Sequence, residues 1–166
     1  MCIRDRYYGY LRHRDLQFEL QGVKLERKTN IGFPQGGVCS AKFWLIAFDF
    51  AIKIINSNGI EGNGYADDCS AILGGPRLDH LVINMEKMLK SLAISGRRCG
   101  LNFNPEKTVA VLFTRKRKQP TDFVWFQGKY LPYSNTVTYL GVQLDAKLHW
   151  KVHIVCLLYT SPSPRD

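Results

Sequence analysis

Long apolar runs are missing from this 166-residue chain. A membrane-spanning helix needs about 18 or more such residues, and the longest candidate, residues 43–55, is cut by Asp49 and Lys53. A helical membrane protein is therefore excluded. No Cys-x-x-Cys pair occurs among the five cysteines, and Cys39, Cys69 and Cys99 are widely spaced. That argues against a zinc site and a disulfide framework, and for reduced thiols in an intracellular protein. Internal repeats and low-complexity linkers are absent. Acidic residues are scarce, 14 against 23 Lys and Arg, for a net charge of +9. A positive balance points to a polyanionic partner, most often nucleic acid. With 45% hydrophobic residues, the chain has enough apolar content for one domain with a core, and it is neither disordered nor a coiled coil.

The two ends carry no strand or helix periodicity. Residues 1–6 and 156–166 match conceptual translations of a transposase sequencing adapter read on opposite strands, and are expected to lie outside the fold. They hold only three of the basic and two of the acidic residues, so the positive balance survives their removal.

Between them, residues 16–20 and 23–25 alternate around Gln21-Gly22 and predict a hairpin. Residues 32–37 are too rich in Gly and Pro for regular structure. Ser40 is placed to cap a mostly buried helix over residues 41–56, ended by residues 56–59. Residues 60–65 and 69–73 predict two strands joined at Ala66-Asp67-Asp68. Apolar residues from Leu78 to Leu92 recur at steps of three and four, an amphipathic helix with His80, Asn84, Lys87 and Lys90 on its polar face. Residues 100–107 read as a loop and residues 108–113 as a β-rich run, followed by four cations at 115–118. Residues 123–126, 129–131 and 137–144 close the chain as strands, with turns at Gly128 and Ser134-Asn135. The pattern is α+β: one domain, an antiparallel sheet with helices on one side.

Chemistry concentrates at Tyr65-Ala66-Asp67-Asp68. Adjacent carboxylates repel, and a partly buried pair is costly unless a cation neutralises it. An acidic pair between apolar strands is thus a seat for a divalent ion, Mg²⁺ being the usual oxygen-seeking choice. Taken alone, it reads more simply as a polar β-turn. The second feature is Gly32-Phe33-Pro34-Gln35-Gly36-Gly37, where Pro34 fixes one φ, Gly36 and Gly37 permit close approach, and Gln35 offers a donor and an acceptor. By itself this is an ordinary loop before a helix.

Together, with 32 residues from Gln35 to Asp67, the two motifs resemble the palm of reverse transcriptases. Residues 100–108, Gly-Leu-Asn-Phe-Asn-Pro-Glu-Lys-Thr, resemble the segment after that family's catalytic hairpin, and 139–145, Tyr-Leu-Gly-Val-Gln-Leu-Asp, its primer-grip hairpin. The tail 148–154 is similar to non-LTR (LINE-type) retrotransposons of the Jockey, I and R1-like groups. The resemblance implies a partial polymerase palm over residues 7–155, with the primer-grip region at about 123–145 and the start of a thumb connection at about 146–155. It implies extension of a DNA primer on an RNA template from dNTPs with two Mg²⁺ (or Mn²⁺) ions, no membrane, and a nuclear site for the parent element. Asp67 is then the main metal ligand and Asp68 its weaker companion. Pro34, Gln35 and Gly36 line the template and nucleotide pocket, and Tyr65 and Ala66 lie beneath the primer terminus. Lys107 is the general acid for pyrophosphate, and Leu140 and Gly141 support the primer backbone.

The family also needs an aspartate on a strand well upstream of the Pro-Gln-Gly loop. Asp15 is too close to that loop and has the wrong neighbours, so it reads as a surface residue. Without the upstream carboxylate the chain is expected to be inactive. His149 and His153 have i, i+4 spacing but no third ligand. A decayed nucleic-acid-binding remnant and a group II intron maturase palm are the competing readings; the intact Tyr65–Asp68 motif and the tail count against them in turn.

Overall fold

The computed structural model describes residues 2–12, 14–116 and 122–160. The first helix, α1 (Ile3–Leu11), leads into the antiparallel hairpin β1 (Arg14–Leu20) and β2 (Val23–Thr29). A loop then enters α2 (Ser40–Ser57), followed by the hairpin β3 (Glu61–Tyr65) and β4 (Asp68–Ile72). Next come α3 (Leu78–Arg98), the irregular segment 99–116, and two further hairpins, β5 (Val124–Phe126) with β6 (Lys129–Leu131) and β7 (Thr136–Tyr139) with β8 (Val142–Asp145). The last described element is α4 (Lys151–Thr160).

The α+β class holds and every named strand pairs antiparallel, but the strands form four separate two-stranded ladders rather than one sheet. The helices supply the continuity. On α3, Met88 and Leu92 meet Phe48, Ala51 and Ile55 of α2 and Ile60 ahead of β3 in one buried cluster. Val82 and Ala93 of α3 meet Val124, Phe126 and Leu131 in a second. Thus α2 covers β3–β4, α3 covers β5–β6, and the two helices pack together.

Several expectations change in detail. Ser40 does not cap α2: Cys39 takes the N-cap position, and the Ser40 hydroxyl donates to the Pro34 carbonyl at 2.6 Å. Nor is α2 mostly buried, since Leu45 and Ile46 are 61% and 74% exposed and Asp49 pairs with Lys53 on the outer face. Residues 108–113 form no strand; Ala110 makes an isolated bridge to Tyr133. The amphipathic helix α3 runs six residues beyond Leu92, to Arg98. The last predicted strand divides into β7 and β8 at a Leu140-Gly141 turn. Of the cation run, residues 117 and 118 lie outside the described residues. Residues 3–6, read as adapter, continue into α1. No helix among the described residues is long and apolar enough to cross a membrane.

Candidate active site

The β3–β4 ladder closes at the Tyr65–Asp68 pair, leaving Ala66-Asp67 as a two-residue turn. Two-residue hairpin turns favour positive φ, and Gly is the residue that adopts it without cost. The other three hairpins follow that rule with Gln21-Gly22, Gln127-Gly128 and Leu140-Gly141, both residues of each having positive φ. The β3–β4 turn does not. Ala66 alone takes the left-handed conformation, at φ 52°, and a carboxylate occupies the glycine's place. A non-glycine residue there costs about 1 kcal/mol.

A contact from α2 offsets that cost. Trp44 donates its indole Nε1–H to the Ala66 carbonyl at 2.6 Å, and its ring stacks on Phe48 with centroids 5.4 Å apart and planes 15° apart. The strand can reach the helix because Gly62 and Gly64 present no side chain to it. A Cβ on Gly62 would lie 2.8 Å from Ile55 Cγ2, and one on Gly64 would lie 3.0 Å from Ile52 Cδ1. The Asn56 side chain completes the seam by accepting from Gly62 N–H at 2.9 Å. Trp44 carried no weight in the sequence, although an indole one turn into the helix after a Gly-Pro loop was the available signal.

The Pro34–Gly37 loop sits at the N-terminal end of the same helix. Besides the Ser40 bond, Gly37 N–H donates to Pro34 O at 3.3 Å, and Gly36 takes φ 78°. Phe33 stacks on Phe43 of α2 with centroids 5.7 Å apart. Ser40 and Trp44 are four residues apart, about 6 Å along the axis. The loop holding Pro34, Gln35 and Gly36 and the turn holding Tyr65, Ala66, Asp67 and Asp68 are therefore anchored at one end of α2. Gln35, Gly36 and residues 65–68 are all exposed.

The other expected site residues are elsewhere. Lys107 lies exposed in a separate turn, its backbone N–H donating to Asn104 O at 3.2 Å. Leu140 and Gly141 form the tip of β7–β8, which packs on α4. His153 Nδ1 accepts from Gln143 N–H at 3.4 Å, and His149 lies 3.6 Å from Asp145, so both serve the β8–α4 connection. Asp15 is exposed on β1 opposite Lys28.

As donors, Asp67 and Asp68 suit a hard divalent cation, since both offer carboxylate oxygens in an open turn. Among the described residues no group of three His, Cys, Asp or Glu converges on this turn. Beside it, burial first and the Asp68 charge second push the Cys69 thiol above its usual range.

A carboxylate-bearing hairpin braced on a helix, with a Pro-Gln-Gly loop at the helix entrance, is the arrangement of a nucleic-acid polymerase palm. The family model described as "Reverse transcriptase (RNA-dependent DNA polymerase)" matches residues 3–144, and the chain belongs to that family. The match takes in residues 3–6. The chain is 26% identical over 160 residues to the "Probable RNA-directed DNA polymerase from transposon BS" of Drosophila melanogaster, an alignment covering 89% of this chain and 18% of the relative. It is 27% identical over 127 residues to the "Putative 115 kDa protein in type-1 retrotransposable element R1DM" of the same organism, covering 76% of this chain and 12% of the relative. The chain thus spans less than a fifth of the length of these relatives. No solved structure matches it.

Proposed function

We propose that this chain is part of the palm of an RNA-directed DNA polymerase from a non-LTR retrotransposon, extending a DNA primer on an RNA template. The palm spans residues 7–155; the flanking residues 1–6 and 156–166 read in the sequence as adapter translations, although α1 takes in residues 3–6 and α4 residues 156–160. The observation that carries the proposal is the Trp44–Ala66 hydrogen bond, which ties the carboxylate turn to the helix that the Pro34–Gly37 loop opens. Asp67 and Asp68 ligate divalent metal, Mg²⁺ or Mn²⁺, Asp67 being the principal ligand. Two such ions, once bound, supply charge stabilisation at the primer hydroxyl and the leaving pyrophosphate.

The chain's own groups orient the reactants. Pro34, Gln35 and Gly36 line the template strand and the incoming dNTP, and Tyr65 and Ala66 form the floor beneath the primer terminus. Lys107 delivers a proton to pyrophosphate, and Leu140 and Gly141 hold the primer backbone. These last two roles need β7–β8 and the 105–107 turn to approach the Asp67 turn in the whole polymerase. A two-ion site would need a further carboxylate beside Asp67 and Asp68, and the described residues bring none there, so the chain by itself is inactive in primer extension.

The test uses a polymerase in which the upstream region is restored. There Asp67→Ala abolishes Mg²⁺-dependent extension in a primer-extension assay and leaves affinity for primer–template duplex nearly unchanged. Retained synthesis by the variant overturns the metal assignment.

A further inference from the structure

The side of α3 turned away from α2 carries its own chemistry. Met85, Met88, Leu89 and Leu92 point into the α2 cluster. Lys87, Lys90, Ile94 and Arg97 follow one another at steps of three and four, and at about 100° per residue they lie on the opposite side of the helix. The β5–β6 hairpin rises beside this stripe and leaves a groove of about 560 Å³, lined among others by Glu86, Lys87, Lys90, Arg97, Trp125 and Gln127.

Three properties of the groove bear on what it takes. Three of its side chains are cations, and its one carboxylate is engaged, since Glu86 Oε1 accepts from Trp125 N–H at 2.7 Å. The Gln127 side-chain Nε2 is buried with no hydrogen-bond partner among the described residues, and an unpaired buried donor costs about 1–3 kcal/mol. Trp125 is 44% exposed, with its ring held at 69° to that of Tyr130. Beyond Ile83 the neighbouring depression is lined by Asp79 and Asp122, which confines a bound anion to the Lys87–Arg97 half.

We propose that this groove binds a segment of single-stranded nucleic acid, separate from the Asp67 turn. Phosphates lie along Lys87, Lys90 and Arg97, one base stacks on Trp125, and Gln127 Nε2 donates to an acceptor on that base. A strand supplies, in each nucleotide, the anion, the flat ring and the acceptor that the groove answers. An acidic peptide would satisfy the cations and leave Trp125 without a stacking partner. The proposal does not rest on the polymerase assignment, because no residue of the groove belongs to the Asp67 turn.

The experiment measures fluorescence anisotropy of a labelled twelve-nucleotide single-stranded RNA titrated with the full chain over a range of salt. Lys90→Gln combined with Arg97→Gln is expected to weaken binding by about tenfold or more and to flatten the salt slope by about 1.4, at about 0.7 for each phosphate no longer neutralised. Arg115→Gln with Lys116→Gln removes the same charge elsewhere and changes affinity by less than about twofold. Trp125→Leu weakens binding by about fivefold or more without altering the salt slope, and Trp125→Tyr retains it, which separates stacking from packing. The proposal is overturned if the Arg115/Lys116 pair matters as much as Lys90/Arg97, or if Trp125→Leu binds like the parent. It is equally overturned if a poly-glutamate peptide or a mononucleotide competes as well as the strand.

Discussion

Cys69 follows the Asp67–Asp68 pair directly and stands half-buried against the α2 core. Its raised pKa leaves less thiolate than an ordinary cysteine has at mildly alkaline pH, and the thiolate is the reactive form. Iodoacetamide labelling followed by mass spectrometry at pH 8 should therefore modify Cys69 more slowly than the exposed Cys99. Asp145 shows the opposite shift. Burial pushes its carboxyl up, but the backbone N–H groups of Lys147, His149 and Trp150, at 2.8–3.1 Å, outweigh that and hold it below its ordinary value. A depressed carboxylate stabilises the fold above its unfolded pKa, and that contribution is lost as pH falls through the folded value. Amide NMR should show the Lys147, His149 and Trp150 protons losing exchange protection below about pH 4, and Asp145→Asn should remove that acid step. The Asp67–Asp68 pair and its neighbours in Tyr65–Asp68 were legible from residue type and order. The Trp44 bond was not, because it joins residues 22 positions apart through a side chain that periodicity alone assigns to packing.

At the scale of elements, β3 is an unusual strand: Glu-Gly-Asn-Gly-Tyr, with two glycines that weaken it by themselves. They are there for the approach to α2. Gly62→Ala would press a methyl against Ile55, which is 1% exposed and has no room to yield. Overpacking of this kind costs about 1–3 kcal/mol, which urea denaturation should register as a lower midpoint. The positions of α2, α3 and the first three hairpins could be read from period and turn chemistry, since Gln-Gly, Gly59 and the i, i+3, i+4 apolar pattern act locally, whereas residues 137–144 read as one strand and fold as the β7–β8 hairpin. The 108–113 run misled for a physical reason. A β-rich composition makes a strand only where a neighbouring edge is free to pair, and there only the Ala110–Tyr133 bridge forms.

Across the whole molecule, the two buried clusters lie along α3, and the β1–β2 hairpin belongs to neither. Its ladder places Leu16, Phe18, Leu20, Val23 and Leu25 on one face, all of them exposed, while Gln17 and Glu26 bond on the other. An apolar face of this kind favours self-association. Replacing Phe18 and Leu25 together by Ser should lower binding of a hydrophobic dye and reduce light scattering, without changing the urea midpoint of the α2–α3 core.

The order of motifs by itself determined the family, the α+β class, the basic character and the identity of the chemistry-bearing turn, because each is written in neighbouring residues. Only the tertiary structure decided that the strands divide into four ladders, that α2 buries Phe48, Ala51 and Ile55 and exposes Leu45 and Ile46, and that Trp44 braces the Ala66 turn. The groove between α3 and β5–β6 belongs with these. Local periodicity specifies an element, but which face it buries and which strand it pairs with depend on contacts distant in sequence, where the packing gain must exceed the entropy of closing the intervening chain.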